Sequence, residues 1–234
     1  MSPRANGMAK MAMAADAPGV TEKAFDDFHL YDLPRETSLR DMETKQLEFV
    51  LSDKLPTKRL YICSQNNMWG GGNFLNDQDL SVPKVPIQTV LEFENKAEAN
   101  LGVPLPAGIV RVYRKDGEQV EFIGENRINH TPQKETLRIP LGTAFDLIAE
   151  RKRIDFKKSS AENRIEETFE ITFRNRSKKP ATIQAVERLY RTANAKITVK
   201  SHEFEMKDSN TAVFNIETTP DSPVTLKYTV VYTW

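Results

Sequence analysis

Apolar and polar residues alternate in short runs along most of the chain from Phe25 onward. Phe169, Ile171 and Phe173 alternate with polar neighbours in one such run. The final run places five apolar residues on one face: Leu226, Tyr228, Val230, Tyr232 and Trp234. Since side chains alternate across a β-strand, a period of two predicts strands that bury one face. About a dozen runs of this kind, separated by turn residues, predict an all-β protein with little helix.

Other runs add detail to this prediction. FHLYDL and RLYICS are strand candidates, and Leu47, Phe49 and Leu51 predict a strand with one apolar face in QLEFVLS. Asp116 and Gly117 lie between two apolar runs, where they can supply the two positive-φ positions of a type I′ hairpin turn. Short strands at this spacing usually pack as antiparallel sheets.

A weak internal echo predicts two sandwich units. LEFENKAEANLGVPLP and ITFRNRSKKPATIQAVE each contain an apolar strand, an Asn, a charged turn and a Pro. Asn95 and Asn175 occupy matching positions, where an Asn side chain can cap a turn or adopt the left-handed conformation. The pattern is typical of immunoglobulin-like sandwiches. We therefore predict a flexible leader or linker over 1–24, one antiparallel β-sandwich unit over 25–145 and a second over 146–234.

The stretch NLGVPLPAG at 100–108 contains two prolines and two glycines within nine residues. It lies between two predicted strands, so its prolines and glycines suit a tight corner. We assign it to folding and not to a binding site.

Charge and composition narrow the classes of partner. The chain has 33 basic and 33 acidic residues, and this balance gives no electrostatic case for nucleic acid or an anionic membrane. No apolar run reaches the roughly 20 residues of a membrane helix, and the N-terminus does not have the pattern of a secretory signal. The one cysteine, Cys63, is predicted to be a small buried hydrophobic residue.

Candidate chemistry is sparse. The three histidines, His29, His130 and His202, have no metal-ligand spacing, so we predict surface or hydrogen-bonded roles. Glu125 and His130 lie close in sequence after a predicted strand and can supply acid–base chemistry, although strand-ending polar residues are far commoner. No motif identifies a catalytic residue, a cofactor or a metal site.

The long interruption at 64–84 carries the remaining candidates. Trp69, Asn73 and Phe74 lie in this segment and can form a contact surface for sugar or peptide. Its glycines lack the Lys-Ser/Thr that follows in a phosphate-binding loop.

Four strings in this order resemble the C-terminal half of a bacterial family, domain of unknown function 4139. They are FHLYDLPRETSLRDMETKQLEF, ENKAEANLGVPLPAGIVRVYRKDG, FIGENRINHTPQKETLRIPLGTAFDL and FRNRSKKPATIQAVERL. The most specific elements are Tyr31, Leu33 and Pro34, the run 43–46, the 100–108 corner, and Gly142 with Phe145-Asp146. The resemblance spans about residues 25–234 and implies an envelope or periplasmic location. It implies no catalytic residues.

These observations leave three hypotheses for function. The first is a non-catalytic structural or interaction module of the bacterial cell envelope, whose partner is a protein or another envelope component. The second is an enzyme, or an accessory domain of one, acting on envelope glycan or peptide through the 64–84 segment, Glu125 and His130. The third is a carbohydrate-binding module with Trp69 and Phe74 on one platform. The sequence leaves the oligomeric state open, and a cytoplasmic location is not excluded.

Overall fold

The computed structural model describes residues 21–26, 28–32, 36–53, 55–64, 75–77, 81–97 and 101–234. These residues form fifteen strands and almost no helix, so the prediction of an all-β protein is confirmed. The chain divides into two compact units that are each discontinuous in sequence. The first comprises Met1–Pro56, Glu94–Pro106 and His130–Glu135, and the second comprises Thr57–Phe93, Ala107–Asn129 and Thr136–Trp234.

The first unit contains one small sheet and a set of packed loops. Its antiparallel strands are β1 (Thr21–Phe25) and β2 (Phe28–Asp32). Tyr31 on β2 packs edge-on against Phe49, with ring centroids 5.0 Å apart, and its hydroxyl donates to the Pro104 carbonyl at 3.0 Å. This tyrosine therefore connects β2 to two loops of the same unit.

The second unit contains two large sheets and a separate hairpin. The strands of this unit are β3 (Lys58–Ser64), β4 (Val82–Val85), β5 (Ile87–Glu94), β6 (Gly108–Asp116), β7 (Gln119–Ile128), β8 (Thr136–Thr143), β9 (Leu147–Ser159), β10 (Arg164–Asn175), β11 (Ala181–Arg188), β12 (Asn194–Lys200), β13 (Phe204–Asp208), β14 (Thr211–Thr218) and β15 (Val224–Thr233). The five-stranded sheet has the order β12-β15-β10-β9-β4, and the six-stranded sheet has the order β13-β14-β11-β3-β5-β8.

One apolar core is shared by the two large sheets. Phe169, Ile171 and Phe173 on β10 are almost fully buried, as the alternation in their run predicts. Phe214 of the six-stranded sheet stacks on Tyr228 of the five-stranded sheet, with centroids 5.5 Å apart. Since burial of apolar surface is the main stabilising term in folding, this shared core joins the two sheets.

Strands β6 and β7 form the predicted hairpin, but its turn is shifted by one residue. Asp116 ends β6 and pairs with Gln119, so the two loop residues are Gly117 and Glu118. Gly117 has φ +62°, whereas Asp116 is not among the residues with positive φ. The predicted type I′ turn with Asp116 and Gly117 at its centre is therefore wrong. A glycine at the first loop position is the pattern of a type II′ turn.

The predicted strand over Leu47, Phe49 and Leu51 is also wrong. Residues 36–53 form neither a strand nor a helix. Leu47 and Leu51 are 46% and 60% exposed, while Phe49 packs on Tyr31. An alternating run needs a neighbouring strand to satisfy its backbone, and no strand pairs with this run among the described residues.

Both asparagines of the internal echo are buried caps, as predicted for turns at strand ends. The Asn95 side chain donates to the carbonyls of Val103 and Pro132 at 2.8 and 2.9 Å, and it accepts from the Gly102 amide at 2.8 Å. Asn175 accepts from the Ser177 amide at 2.9 Å. Neither asparagine has a positive φ, so neither adopts the left-handed conformation. Each asparagine stabilises its turn through the hydrogen bonds of its side chain.

The predicted boundary between residues 145 and 146 falls inside the second compact unit. The division of the chain into two sandwich units at this point stays a prediction. None of the described residues forms a helix long and apolar enough to cross a membrane.

Replacing Gly102 with Ala is expected to destabilise the first unit. Gly102 has φ +83°, and an added Cβ would lie 2.6 Å from the Ala97 backbone nitrogen. We expect Gly102→Ala to cost roughly 2–4 kcal/mol in the free energy of unfolding. Gly117→Ala is the matched control, because Gly117 also has positive φ (+62°) but has no atom within 4 Å of the added Cβ. It should cost only about 1 kcal/mol. Urea unfolding of both variants measures the difference, and equal costs would contradict the steric account.

Candidate functional site

The most unusual chemistry in the described residues is a set of charged side chains inside the second unit. Glu167 and Glu187 are 0% and 3% exposed, and Arg151 and Arg191 are 2% and 5% exposed. Charged groups are rarely buried to this degree unless they are paired. Three of them, Glu167, Arg151 and Glu187, lie on strands. Each occupies a position of the strand's alternating pattern at which the side chain points to the buried, apolar face.

The phase can be followed along each strand. On β10, Glu167 lies between Ile165 and Phe169 on the inward face. Arg151 follows Leu147 and Ala149 on β9, and Glu187 follows Ile183 and Ala185 on β11. None of these residues was predicted from the sequence. The signal that identifies them is a charged residue in step with the apolar positions of a predicted strand.

Glu167 is the centre of the first cluster. Arg191 binds it in a bidentate manner, with nitrogen–oxygen distances of 2.7 and 2.8 Å. The Tyr190 hydroxyl donates at 2.9 Å and Arg153 donates at 3.2 Å. Four donors occupy the positions that an ionised carboxylate offers as an acceptor. Burial is the main cause of the raised pKa of Tyr190, and the charge of Glu167 is the second. The Tyr190 hydroxyl therefore stays protonated and acts as a donor.

Glu187 is the centre of the second cluster, which joins the two large sheets. Its carboxylate, on β11, accepts from the Tyr228 hydroxyl of β15 at 2.6 Å and from Arg151 of β9 at 3.1 Å. The Arg151 guanidinium also lies 3.7 Å from the centre of the Phe169 ring. Burial disfavours its charge, but Glu187 and Tyr228 hold the pKa of Arg151 above its usual value.

The first cluster also holds part of the predicted contact segment 64–84. Arg191 donates to the Asn76 carbonyl at 2.9 Å, and Arg153 binds Asp77 at 2.5 Å. Lys158 donates to the Leu75 carbonyl at 2.8 Å. Three consecutive residues of the segment are thus bonded to cationic side chains of the same unit.

The structure describes only two of the five predicted contact residues, Glu125 and His130. Trp69, Asn73 and Phe74 lie outside the described residues. Glu125 lies on β7, is solvent exposed, and binds Arg111 at 3.0 Å. His130 is exposed and belongs to the first compact unit, whereas Glu125 belongs to the second. A shared site for these residues stays a prediction.

The histidines and Cys63 lie where the sequence predicted. The His29 ring is hydrogen-bonded to Glu22 at 2.7 Å, and His202 to Ser201 at 2.8 Å. Cys63 is 2% exposed. Across the described ranges, no group of three or more His, Cys, Asp or Glu side chains has the geometry of a metal site.

A shallow surface depression lies over β12 and β15. It is lined by Arg164, Ala193, Asn194, Ala195, Lys196, Thr198, Val231 and Thr233. Of the predicted contact residues that the structure describes, neither Glu125 nor His130 lines it. Arg164, which does line it, is bound to Glu166 at 2.6 Å.

Comparison with known proteins adds no identification. The chain matches no protein-family model, no curated protein and no solved structure.

The buried clusters serve structure better than catalysis. Glu167 has no acceptor position left for a substrate, and burial, followed by the charge of Glu187, raises the pKa of Tyr228. Tyr228 therefore keeps its proton near neutral pH. What the clusters can do is fix the relative positions of the strands that carry them.

Removing the Glu167 carboxylate is expected to destabilise the second unit strongly. Glu167→Ala leaves Arg191 buried without its bidentate partner, which should cost about 3–5 kcal/mol in the free energy of unfolding. The matched control is Glu166→Ala. Glu166 directly precedes Glu167 and lies on the opposite face of β10, where its side chain is 27% exposed and pairs with Arg164. It should cost less than about 1 kcal/mol. Urea denaturation compares the two, and similar costs would contradict a structural role for the cluster.

The thiol of Cys63 is expected to be unreactive in the folded protein. Burial, and then the charge of Glu187, raise the pKa of Cys63 to about 12, so the thiolate is scarce at neutral pH. Maleimide labelling should be slow without denaturant and fast in urea that unfolds the second unit. Labelling in native buffer at the rate of a small free thiol would show that Cys63 is accessible.

Proposed function

We propose that this chain is a non-catalytic structural or interaction module of the bacterial cell envelope, in the domain of unknown function 4139 family. The observation that carries the proposal is an exposed aromatic ring on fixed backbone. Phe145 is 95% exposed. On one side of it the Ala144 amide donates to the Ile87 carbonyl at 2.7 Å, and on the other the Asp146 carbonyl accepts from the Arg176 amide at 2.8 Å.

A rigid, exposed phenylalanine is suited to binding. It presents a large apolar surface, and anchored backbone loses little freedom when a partner binds. One ion pair lies beside this loop, since Arg176, whose amide donates to Asp146, pairs with Asp221 at 2.9 Å. An apolar centre with a polar rim is the usual composition of a protein interface. Phe145-Asp146 also belongs to one of the strings that resemble the family.

The enzyme hypothesis has less support. It requires Glu125 and His130 to act together with the 64–84 segment, and Glu125 is exposed and paired with Arg111. Catalytic groups usually lie in a pocket that encloses the substrate, and an exposed, ion-paired side chain does not indicate such a pocket. The carbohydrate-binding hypothesis depends on Trp69 and Phe74 and stays a prediction.

The immunoglobulin-like arrangement is also part of the proposal. The recurrence of a buried asparagine at the ends of β5 and β10 supports two related sandwich units. One observation favours a single unit that includes both sides of residues 145 and 146. β3, which precedes this point in the chain, pairs in parallel with β11, which follows it, so the two strands share a sheet.

Photo-crosslinking in a bacterium that carries the gene tests this proposal. A photoreactive phenylalanine analogue at position 145 is expected to form adducts with another protein, and the adducts should fractionate with the cell envelope. The matched control is the same analogue at Val199, which is 58% exposed in the same unit. Equal adducts from both positions would contradict a specific surface at Phe145. Recovery of the protein in the cytosolic fraction would contradict the envelope location.

A further inference from the structure

The β6–β7 hairpin presents one face entirely to solvent. Side chains alternate across each strand, and the register places four pairs of residues opposite each other on this face: Ile109 and Arg127, Arg111 and Glu125, Tyr113 and Phe122, and Lys115 and Val120. All eight residues are exposed, whereas Val110 and Val112 on the other face are half-buried. We call these eight residues the outer hairpin face.

The centre of the outer hairpin face is apolar. The rings of Tyr113 and Phe122 meet edge-on with centroids 5.6 Å apart. The large apolar side chains of the face, with their exposed fractions, are Ile109 (44%), Tyr113 (54%), Val120 (53%) and Phe122 (53%). A cluster of large apolar groups in contact with water gains free energy when a partner covers it.

The unbalanced charges of this face are both cationic. Arg111 and Glu125 bind each other at 3.0 Å, so their charges offset one another. Neither Lys115 nor Arg127 forms an ion pair within the described ranges of the chain. They lie at opposite ends of the face, roughly 20 Å apart, because six residues of extended strand separate Lys115 from the partner position of Arg127.

We propose that the outer hairpin face binds a short segment of another protein that has apolar residues at its centre and an acidic residue at each end. Its apolar residues cover the two rings, and its carboxylates pair with Lys115 and Arg127. The face has eight residues, whereas each side of a stable interface between domains has about 20–30, so its size suits a short segment. This inference goes beyond the proposed function, since it concerns a second surface and requires neither Phe145 nor an envelope location.

Charge distinguishes this partner from a membrane and from a second copy of the chain. The hairpin from Gly108 to Ile128 carries four basic and four acidic residues. An anionic membrane acts on all charges within about 10 Å, so its attraction for the whole hairpin is close to zero. A bound segment contacts one face only, where cations are in excess. A second copy would bring the same two cations to the interface, which is unfavourable.

Fluorescence anisotropy with the full chain and two labelled peptides tests the proposal. The acidic peptide is Glu-Thr-Phe-Thr-Ile-Thr-Glu, whose carboxylates lie roughly 20 Å apart when it is extended, and the basic peptide has Lys at both ends instead. We expect the acidic peptide to bind roughly tenfold more tightly than the basic one. Phe122→Ser should weaken its binding by a similar factor, because it removes one of the two rings.

Two further variants separate charge recognition from damage to the hairpin. Lys115→Glu/Arg127→Glu should reverse the preference, so that the basic peptide binds more tightly, which a damaged hairpin cannot produce. Lys115→Gln should weaken binding of the acidic peptide severalfold. Arg114→Gln is its matched control, because it removes the same charge from the other face of the hairpin, and it should leave the affinity unchanged.

Several results would overturn the inference. They are an acidic peptide that fails to bind, equal binding of the two peptides, a double variant that keeps the wild-type preference, and an equal loss of affinity in Lys115→Gln and Arg114→Gln. Sedimentation of the chain with phosphatidylglycerol vesicles, abolished by Phe122→Ser, would identify a membrane as the occupant instead. Self-association of the peptide-free chain, abolished by the same substitution, would identify a second copy.

Discussion

The pairing of buried charges between strands is the constraint on which the large sheets depend. Glu187, Arg151 and Tyr228 come from three strands of two different sheets, and each satisfies the others inside the core. A shift of one residue in any of these strands would turn its charged or hydroxyl group to the opposite face and leave its partners buried alone. Apolar packing alone tolerates such shifts better, because one aliphatic contact can replace another. The charges therefore select one register among several that would bury similar apolar area.

The same demand for satisfied polar groups shapes the corners. Where β5 and β10 end, the chain must turn while its backbone amides and carbonyls lose their ladder partners. Asn95 and Asn175 supply donors and an acceptor from one side chain, and both are fully buried. Gly102 then takes the positive φ that brings its amide to Asn95, at a point where the Ala97 backbone leaves no room for a Cβ. Corner and core thus follow one rule, that polar atoms enter the interior only with their partners.

Much of this fold follows from alternation, and the limits of alternation explain the rest. The runs of β10 and β15 were predicted correctly from Phe169 to Phe173 and from Leu226 to Tyr232, because burial against a second sheet requires a clean apolar face. The prediction was wrong for Trp234, which follows the last residue of β15 and is 40% exposed. The run with Leu47, Phe49 and Leu51 alternates as well, yet it forms no strand, because periodicity describes a face and not the presence of a neighbour. The Asp116-Gly117 turn was misplaced by one residue since the register of a hairpin depends on pairing along its whole length. Glu167 went unnoticed because a charged residue in an apolar phase resembles a break in the pattern.

The division between inside and outside also bears on function. Burial alters the pKa of an acidic or basic group most strongly where its surroundings are least polar. Groups with altered pKa values are common in active sites. Here Glu167 is instead saturated by arginine and tyrosine donors, and Glu187 accepts from Arg151 and Tyr228. Large apolar groups are found at the surface, on the Phe145 loop and the β6–β7 hairpin, where exposure to water is unfavourable for the isolated chain. These two features, buried charges that bind one another and apolar side chains that remain in contact with water, are the basis of the proposal of a non-catalytic interaction module. An apolar side chain at the surface gains free energy when a partner covers it, which is why the exposed residues carry that proposal and the buried clusters do not.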